Sequence, residues 1–247
     1  MLSDDQLLKA RLKDAKTAAE NKNFPRFVGF LNETEITLAK TFARETRAKV
    51  QFFGGYGDAV RQIICFLPDW ADECDNFPIV PIKATYKSEY KLTHRDFLGA
   101  LMSLGIVREK VGDIVCSTGE TVFFLHSDIA DFVLNELKKA GKIGINLTCG
   151  VDDFNFPLPE FQEITSTVAS ARLDCVVSAL TGESREKANC RILQGTVLIN
   201  SVECKNISAQ VKENSSITIQ KCGKFVIDSL SETTKKGRIK LKSRKLK

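Results

Sequence analysis

Histidine is scarce in this chain, no two cysteines form a C-x-x-C pair, and no run of 18 apolar residues occurs. Each shortage excludes something. Two histidines, His94 and His126, and eight cysteines spread from Cys65 to Cys222 make neither a zinc site nor a disulfide framework, so reduced thiols are expected. The missing apolar run excludes a transmembrane helix. MLSDDQLLKARLKDAKTAAE is a charged amphipathic pattern, without the basic flank, apolar run and cleavage site of a leader. A soluble cytoplasmic protein, with no membrane contact, is expected.

Catalytic patterns are missing as well. GGYGD at 54–58 has neither the Lys-Ser/Thr of a P-loop nor the full dinucleotide fingerprint, so it reads as a turn that needs positive φ. His94, between Thr93 and Arg95-Asp96, has no second histidine nearby and no nucleophile paired with a base, which leaves helix capping or packing. His126 at a strand end reads the same way. No catalytic residue, metal ligand or cofactor is expected.

What the chain does have is material for a core: 43% of its 247 residues are apolar, and its length suggests about two domains. The net charge of +5 is unevenly spread, because residues 165–247 hold 16 Lys and Arg against 7 Asp and Glu. The first 164 residues are therefore acidic, by about 4 charges. A local surplus of that size suits a polyanion such as nucleic acid better than a small neutral substrate.

Periodicity sets the expected elements. Leu7, Leu8, Leu12, Ala15 and Ala19 recur at helical spacing between Ser3 and about Lys22, and Asn32-Glu33 opens a second helix through Ile36, Leu38, Ala39 and Phe42. VQFFGGYGDAVRQIICFLPD reads as two short strands about a Gly-rich turn. From Ile79 the order is regular. Strand IVPIKATY, helix THRDFLGALMSLG, strands DIVCS and TVFFLHS, a helix from Asp128 to about Ala140 stopped by Gly141, and strand GINLTC give a βαββαβ plait, as in RNA-recognition domains and many unrelated ones. After the proline-bearing GVDDFNFPLPEF come two short helices, Ala171 to about Leu180 and Ser184 to Leu193, then strands TVLIN, SITIQ, KFVID and RIKLK and a basic tail. The fold class is α+β, with regions 1–75 (helical, with a short strand pair), 76–164 (plait) and 165–247 (basic).

Arg185, Lys187 and Arg191 crowd one short helix. Lys187 and Arg191 are four apart and share a face, where like charges repel by a few tenths of a kcal/mol. An anion seated between them would relieve that; a solvated basic face is the alternative.

RLDCVVSALTGESREKANCRILQGTVLIN resembles the ribosomal-protein S-four-type RNA-binding domain, the alpha-L motif, through Arg172, Leu173, Asp174, Ser184, Arg185, Ala188, Gly195, Val197 and Asn200. It departs at Ser201 and at Asn214-Ser215-Ser216, where that pattern has glycine and a Gly-Asp turn. FFGGYGDAVRQIICFLPD, LTHRDFLGALMSLGIVREKVGDI and TTKKGR resemble the YlmH family, also present in photosynthetic lineages as a photosystem-associated protein. The resemblance implies a non-enzymatic RNA-binding protein that engages rRNA and tRNA on large ribosomal subunits in quality control of stalled peptidyl-tRNA. Some members are described as cell-division factors.

On that reading RNA would be met through its backbone and shape. The expected contacts are Arg172, Arg185, Lys187, Arg191, Lys205, Lys221 and Lys224, with Lys235, Lys236 and Arg238 in the tail. The plait is the weaker RNA surface. GETVFFLHS lacks a basic residue before its aromatics, and adjacent Phe123 and Phe124 point to opposite faces, one of them into the core. Its expected contributors are Lys83, Lys87, Lys91 and Arg95. A monomer is expected. The alternatives are an adaptor in cell division or photosystem biogenesis, docking through the acidic N-terminal helices, and an RNA-modifying enzyme in which Asp174 would be catalytic; Asp174 reads as structural.

Overall fold

The protein is described by a computed structural model over residues 3–151, 154–157, 161–230 and 237–246. It divides into two compact units, 1–157 and 158–247. Every strand pair in both is antiparallel. The α+β class is what the structure has.

The first unit opens with α1 (Asp4–Lys22), β1 (Arg26–Leu31), α2 (Glu33–Thr46), β2 (Val50–Phe53) and β3 (Gln62–Phe66), the strands ordered β1-β3-β2. Both helices start on reciprocal caps, Ser3 with Gln6 and Asn32 with Glu35, which satisfy backbone N–H groups that have no helical partner. Strand β1 is an addition to the expected pattern. It lies between the two helices and pairs with β3, Arg26 opposite Phe66 and Val28 opposite Ile64. Alternation along β3 then divides the core: Ile64 and Phe66 pack with Leu8, Leu12, Ile36 and Ala39 of the helices, while Ile63 faces the other way.

The plait follows as β4 (Ile79–Thr85), α3 (His94–Ser103), a 3-10 turn (Arg108–Lys110), β5 (Val111–Ser117), β6 (Glu120–His126), α4 (Ser127–Glu136), the two-residue strands β7 (Lys139–Ala140) and β8 (Ile143–Gly144), and β9 (Asn146–Cys149). Its sheet order, β5-β6-β4-β9, is that of a split βαβ plait. Helix α4 stops at Glu136, short of the expected Ala140. Leu137 leaves the helical region at ψ 98, and Leu137 and Ala140 are both buried, so the chain turns back as a hairpin there. Gly141, at φ +57, serves that hairpin turn, not a helix end.

Unit two runs β10 (Phe161–Val168), α5 (Leu173–Thr181), α6 (Arg185–Leu193), β11 (Val197–Ile199), β12 (Val202–Glu203), β13 (Ser216–Ile219), β14 (Gly223–Ser229) and β15 (Ile239–Leu246). Its six strands are ordered β10-β15-β14-β13-β11-β12. Leu173, Val176, Val177, Ala188 and Ile192 from the helices meet Ile217, Ile219, Phe225, Ile227 and Leu241 from the sheet. Most of the tail is therefore structural: Ile239–Leu246 pairs over eight residues with β10, a strand the apolar pattern missed because only Val168 of it is buried.

The departures from the S-four-type pattern fall on left-handed backbone. Asn200 (φ 49) and Ser201 (φ 64) form the two-residue turn that joins β11 to β12, with Ile199 opposite Val202, and Asn214 sits at φ 61. Ser201 meets a steric penalty that glycine does not. Ser201→Gly is expected to stabilise unit two by about 1 kcal/mol, read as a rise in its urea midpoint with unchanged slope.

Candidate nucleic-acid interface

Three of the cations expected to meet RNA, Arg172, Arg185 and Arg191, converge on two carboxylates. Asp174, in the first turn of α5, is only 1% exposed, and Arg172 (Nε to Oδ1, 3.1 Å) and Arg185 (Nη2 to Oδ2, 2.5 Å) both donate to it. Its Oδ1 also accepts the Cys175 N–H at 3.0 Å. Burial pushes this carboxyl up, but the hydrogen bonds from Arg172 and Arg185, and their charge, outweigh it and hold the group at about 2. Asp174 is thus the ionic hub that ties the N-cap residue of α5 to the start of α6, a role spacing could not reveal because the partners are 2 and 11 residues away.

Glu183, in the α5–α6 turn, takes Arg191 in a fork, Nε at 2.7 Å and Nη2 at 2.8 Å. Arg191 Nη1 is directed at the Gln220 carbonyl, 3.4 Å away. The hydrogen bond with Glu183 lowers the Glu183 pKa and raises that of Arg191. The like charges that crowd one helix face in the sequence are therefore separated by acids from within the unit.

The cations differ in what they have left to offer. Arg191 spends its fork internally. Arg185 gives one N–H to Asp174 and keeps the rest on a side chain that is 57% exposed, so the guanidinium is held in place with donors to spare. Lys187 and Lys221 are exposed and, among the described residues, form no ion pair; Lys205 pairs with Glu203 at 2.9 Å on the surface. Lys224 and Arg238 are engaged, Arg238 with the Thr167 carbonyl at 3.1 Å. Lys235 and Lys236 lie outside the described residues. Beside Arg185 a cleft of about 150 Å3 is lined by Ser166, Thr167, Ser178 and Arg238. Its mixture of hydroxyls and two guanidinium groups can donate to an anion the size of a phosphate.

The plait offers no such face on its sheet. Phe123 and Phe124 do point oppositely, but both are fully buried. Phe123 packs with Phe97, Leu101 and Val133 under the helices, and Phe124 packs with Phe30, Ile63 and Val122 under the N-terminal sheet. Tyr56 stacks on Phe124 at 5.3 Å and Phe156 on Tyr56 at 4.6 Å, so protein rings occupy the surface where an RNA-recognition plait stacks bases. Lys83, on this covered side, is paired with Glu120 at 2.8 Å.

The GGYGD loop is part of that cover. Asp113 on β5 accepts from Tyr56 Oη (3.0 Å), the Val60 N–H (2.7 Å) and the Arg61 N–H (3.0 Å), closing the loop on itself. Gly55 sits at φ +103, as the turn reading required. His94 is the first residue of α3, its pKa lowered by burial and then by Arg108, and His126 stands at the N-cap of α4 with its Nδ1 2.7 Å from the Asp128 carboxylate.

Three likenesses to known proteins stand beside this geometry. Residues 73–150 match the family described as "Putative RNA-binding domain in YlmH". A protein of Bacillus subtilis (strain 168), Ribosome-associated protein quality control protein P2, is 29% identical over 216 residues, covering 86% of this chain and 84% of its own. Among solved structures, the cell division protein ylmH from Streptococcus pneumoniae superposes with a TM-score of 0.53 at 20% identity, over 63% of this chain and 98% of that one, which is a likeness of fold. Among the described residues no helix is long and apolar enough to cross a membrane.

Proposed function

We propose that the chain, which is similar to YlmH-type proteins in the family match at 73–150 and over 86% of its length, is a member of that family: a non-enzymatic, monomeric RNA-binding protein of the cytoplasm, acting on large ribosomal subunits in the quality control of stalled peptidyl-tRNA. The observation that carries this reading is the alignment of 86% of the chain with a protein named for ribosome-associated quality control. The RNA-binding domain description for residues 73–150 and the basic second unit support it.

In this reading unit two meets rRNA or tRNA through the outer side of α6. Arg185, steadied by Asp174, supplies directional N–H donors, and Lys187 and Lys221 supply mobile charge for phosphates. A non-enzymatic role is supported by the employment of the polar groups that resemble catalytic ones: His126 stands at a helix N-cap and Asp174 is neutralised by two arginines.

The geometry also decides which variants test it. Arg185→Glu would bring a second carboxylate to buried Asp174, and Arg191→Glu would face Glu183, so both would disturb folding along with binding. Lys187→Glu with Lys221→Glu avoids this. The pair is expected to weaken binding to a labelled RNA hairpin by about tenfold near 0.1 M salt and to reduce the steepness of log K against log salt by roughly 2. In gradients of cell lysate the wild type should travel with large subunits and the variant should not. Wild-type protein that binds neither RNA nor large subunits at moderate salt would overturn the proposal.

A further inference from the structure

With its sheet face covered, an RNA-binding surface of the central domain must lie elsewhere. Register places three segments at one end of the plait. Thr85 at the end of β4 lies opposite Glu120, Glu120 opposite Ser117, and Thr85 also opposite Asn146. The loop that leads from β4 into α3, the β5–β6 turn and the β7–β8 hairpin therefore gather there. The hairpin is seated firmly: Leu137 and Ala140 are buried, the Ile145 N–H donates to the Lys138 carbonyl at 3.0 Å, and a Cβ on Gly141 would come within 3.2 Å of the Asp96 carboxylate in the first turn of α3.

That seating turns the charged side chains outward. Lys138, Lys139 and Lys142 are exposed around the hairpin, and Arg95, next to Asp96, is exposed at the start of α3. Among the described residues none of these four, nor Lys91 in the preceding loop, forms an ion pair. Asp96, next to Arg95, is turned in to cap Thr93, accepting its N–H at 2.8 Å and its hydroxyl at 2.7 Å. Three arginines of unit two, Arg172, Arg185 and Arg191, are by contrast held by carboxylates. Cations without protein partners lose no internal pairing when they bind phosphate, whereas paired ones must exchange one anion for another.

Beside them, a cleft of about 320 Å3 is lined by Ser88, Tyr90, Lys91, Ser117 and Thr118, with Tyr90 39% exposed at its edge. An exposed ring next to lysine and hydroxyls suits a stacked, unpaired base, and protein rings take no part in that surface as they do on the sheet.

We propose that this end of the plait is the RNA-binding surface of the central domain: Arg95, Lys138, Lys139 and Lys142 hold the phosphate backbone, and Tyr90 with Lys91 takes a neighbouring unpaired base. The proposal rests on the RNA-binding reading above and adds to it a second site, away from the sheet face.

The test uses the full chain and a labelled RNA duplex with a single-stranded extension. Lys138→Glu, Lys139→Glu and Lys142→Glu combined are expected to lower affinity at least about tenfold and to reduce the salt slope by roughly 2 to 3. The corresponding glutamine triple, which introduces no repulsion, should lose less but lose in the same direction. Lys9→Glu with Lys13→Glu, exposed on α1, should leave binding unchanged. Tyr90→Ala should lose affinity by about tenfold only for the probe with the extension, and Tyr90→Phe should retain it. Hairpin variants that bind like wild type, while Lys187→Glu with Lys221→Glu binds weakly, would overturn this proposal and leave the RNA-binding reading standing. Wild type that fails to bind the probe would overturn both.

Discussion

Gly55→Ala is expected to destabilise the first unit by about 2–5 kcal/mol, more than any conservative surface change in the chain. Two independent penalties meet at this position. The backbone is at φ +103, which an L side chain adopts only under strain of order 1–2 kcal/mol. A Cβ there would also stand 2.3 Å from Cδ1 and 2.5 Å from Cε1 of Phe124. That ring cannot retreat, because it is fully buried between Val122, Phe30 and Ile63 and carries the stacked Tyr56, so overpacking adds roughly 1–3 kcal/mol. Tyr56, Tyr86, Tyr90 and Trp70 all belong to residues 1–157, so the near-ultraviolet circular dichroism of tyrosine and tryptophan follows this unit alone. Urea unfolding by that signal should shift to lower midpoint. An alanine variant within about 1 kcal/mol of wild type would show that the loop can move off Phe124.

The second large effect belongs to Asp174. In Asp174→Asn the ion pairs with Arg172 and Arg185 are lost while a polar group stays beneath them. The folded carboxyl titrates at about 2 against an ordinary value of 3.8, so its charge contributes about 2.5 kcal/mol to folding. The sign follows from linkage. A depressed carboxylate stabilises above its unfolded pKa, and that stability is lost as pH falls through the folded value. The gap between wild type and Asp174→Asn should thus be full above about pH 5 and shrink as pH drops from 3.8 toward about 2. Unit two has no tyrosine or tryptophan, so hydrogen exchange of the α5 and α6 amides is the measurement. A gap that does not change between neutral pH and pH 3 would mean that packing, not charge, makes Asp174 important.

Helix starts were legible from the chain because they are local: Ser3, Asn32 and Ser184 stand at caps, and each cap needs only a residue three positions on. The plait order was legible for a similar reason, since period-two and period-3.6 patterns alternate along it. Strand β10 was not, because a strand held by eight backbone pairs to β15 carries its information in partners 85 and 71 residues away at its two ends, Phe161 opposite Leu246 and Val168 opposite Ile239, and little in its own apolar pattern. The end of α4 was misjudged because Gly141 signals a turn without saying whether a helix or a hairpin leads into it.

The candidate sites divide along the same line. Residue types determined that the chain is α+β, that its basic surplus lies in the last third, and that Arg185 and Lys187 sit on one short helix. They could not determine which charges are available, because an ion pair such as Arg191 with Glu183 or Arg185 with Asp174 joins residues that only folding brings together. Nor could alternation along β6 say what covers its outer side: period two assigns Phe124 to the face opposite Phe123, and only the tertiary packing of Phe30, Ile63 and Tyr56 made that face core. Pattern along a chain orders side chains relative to their own backbone. Burial and charge pairing depend on what arrives from elsewhere in the chain, and here, among the described residues, that leaves Lys187, Lys221 and the lysines of the β7–β8 hairpin exposed and without an ion pair.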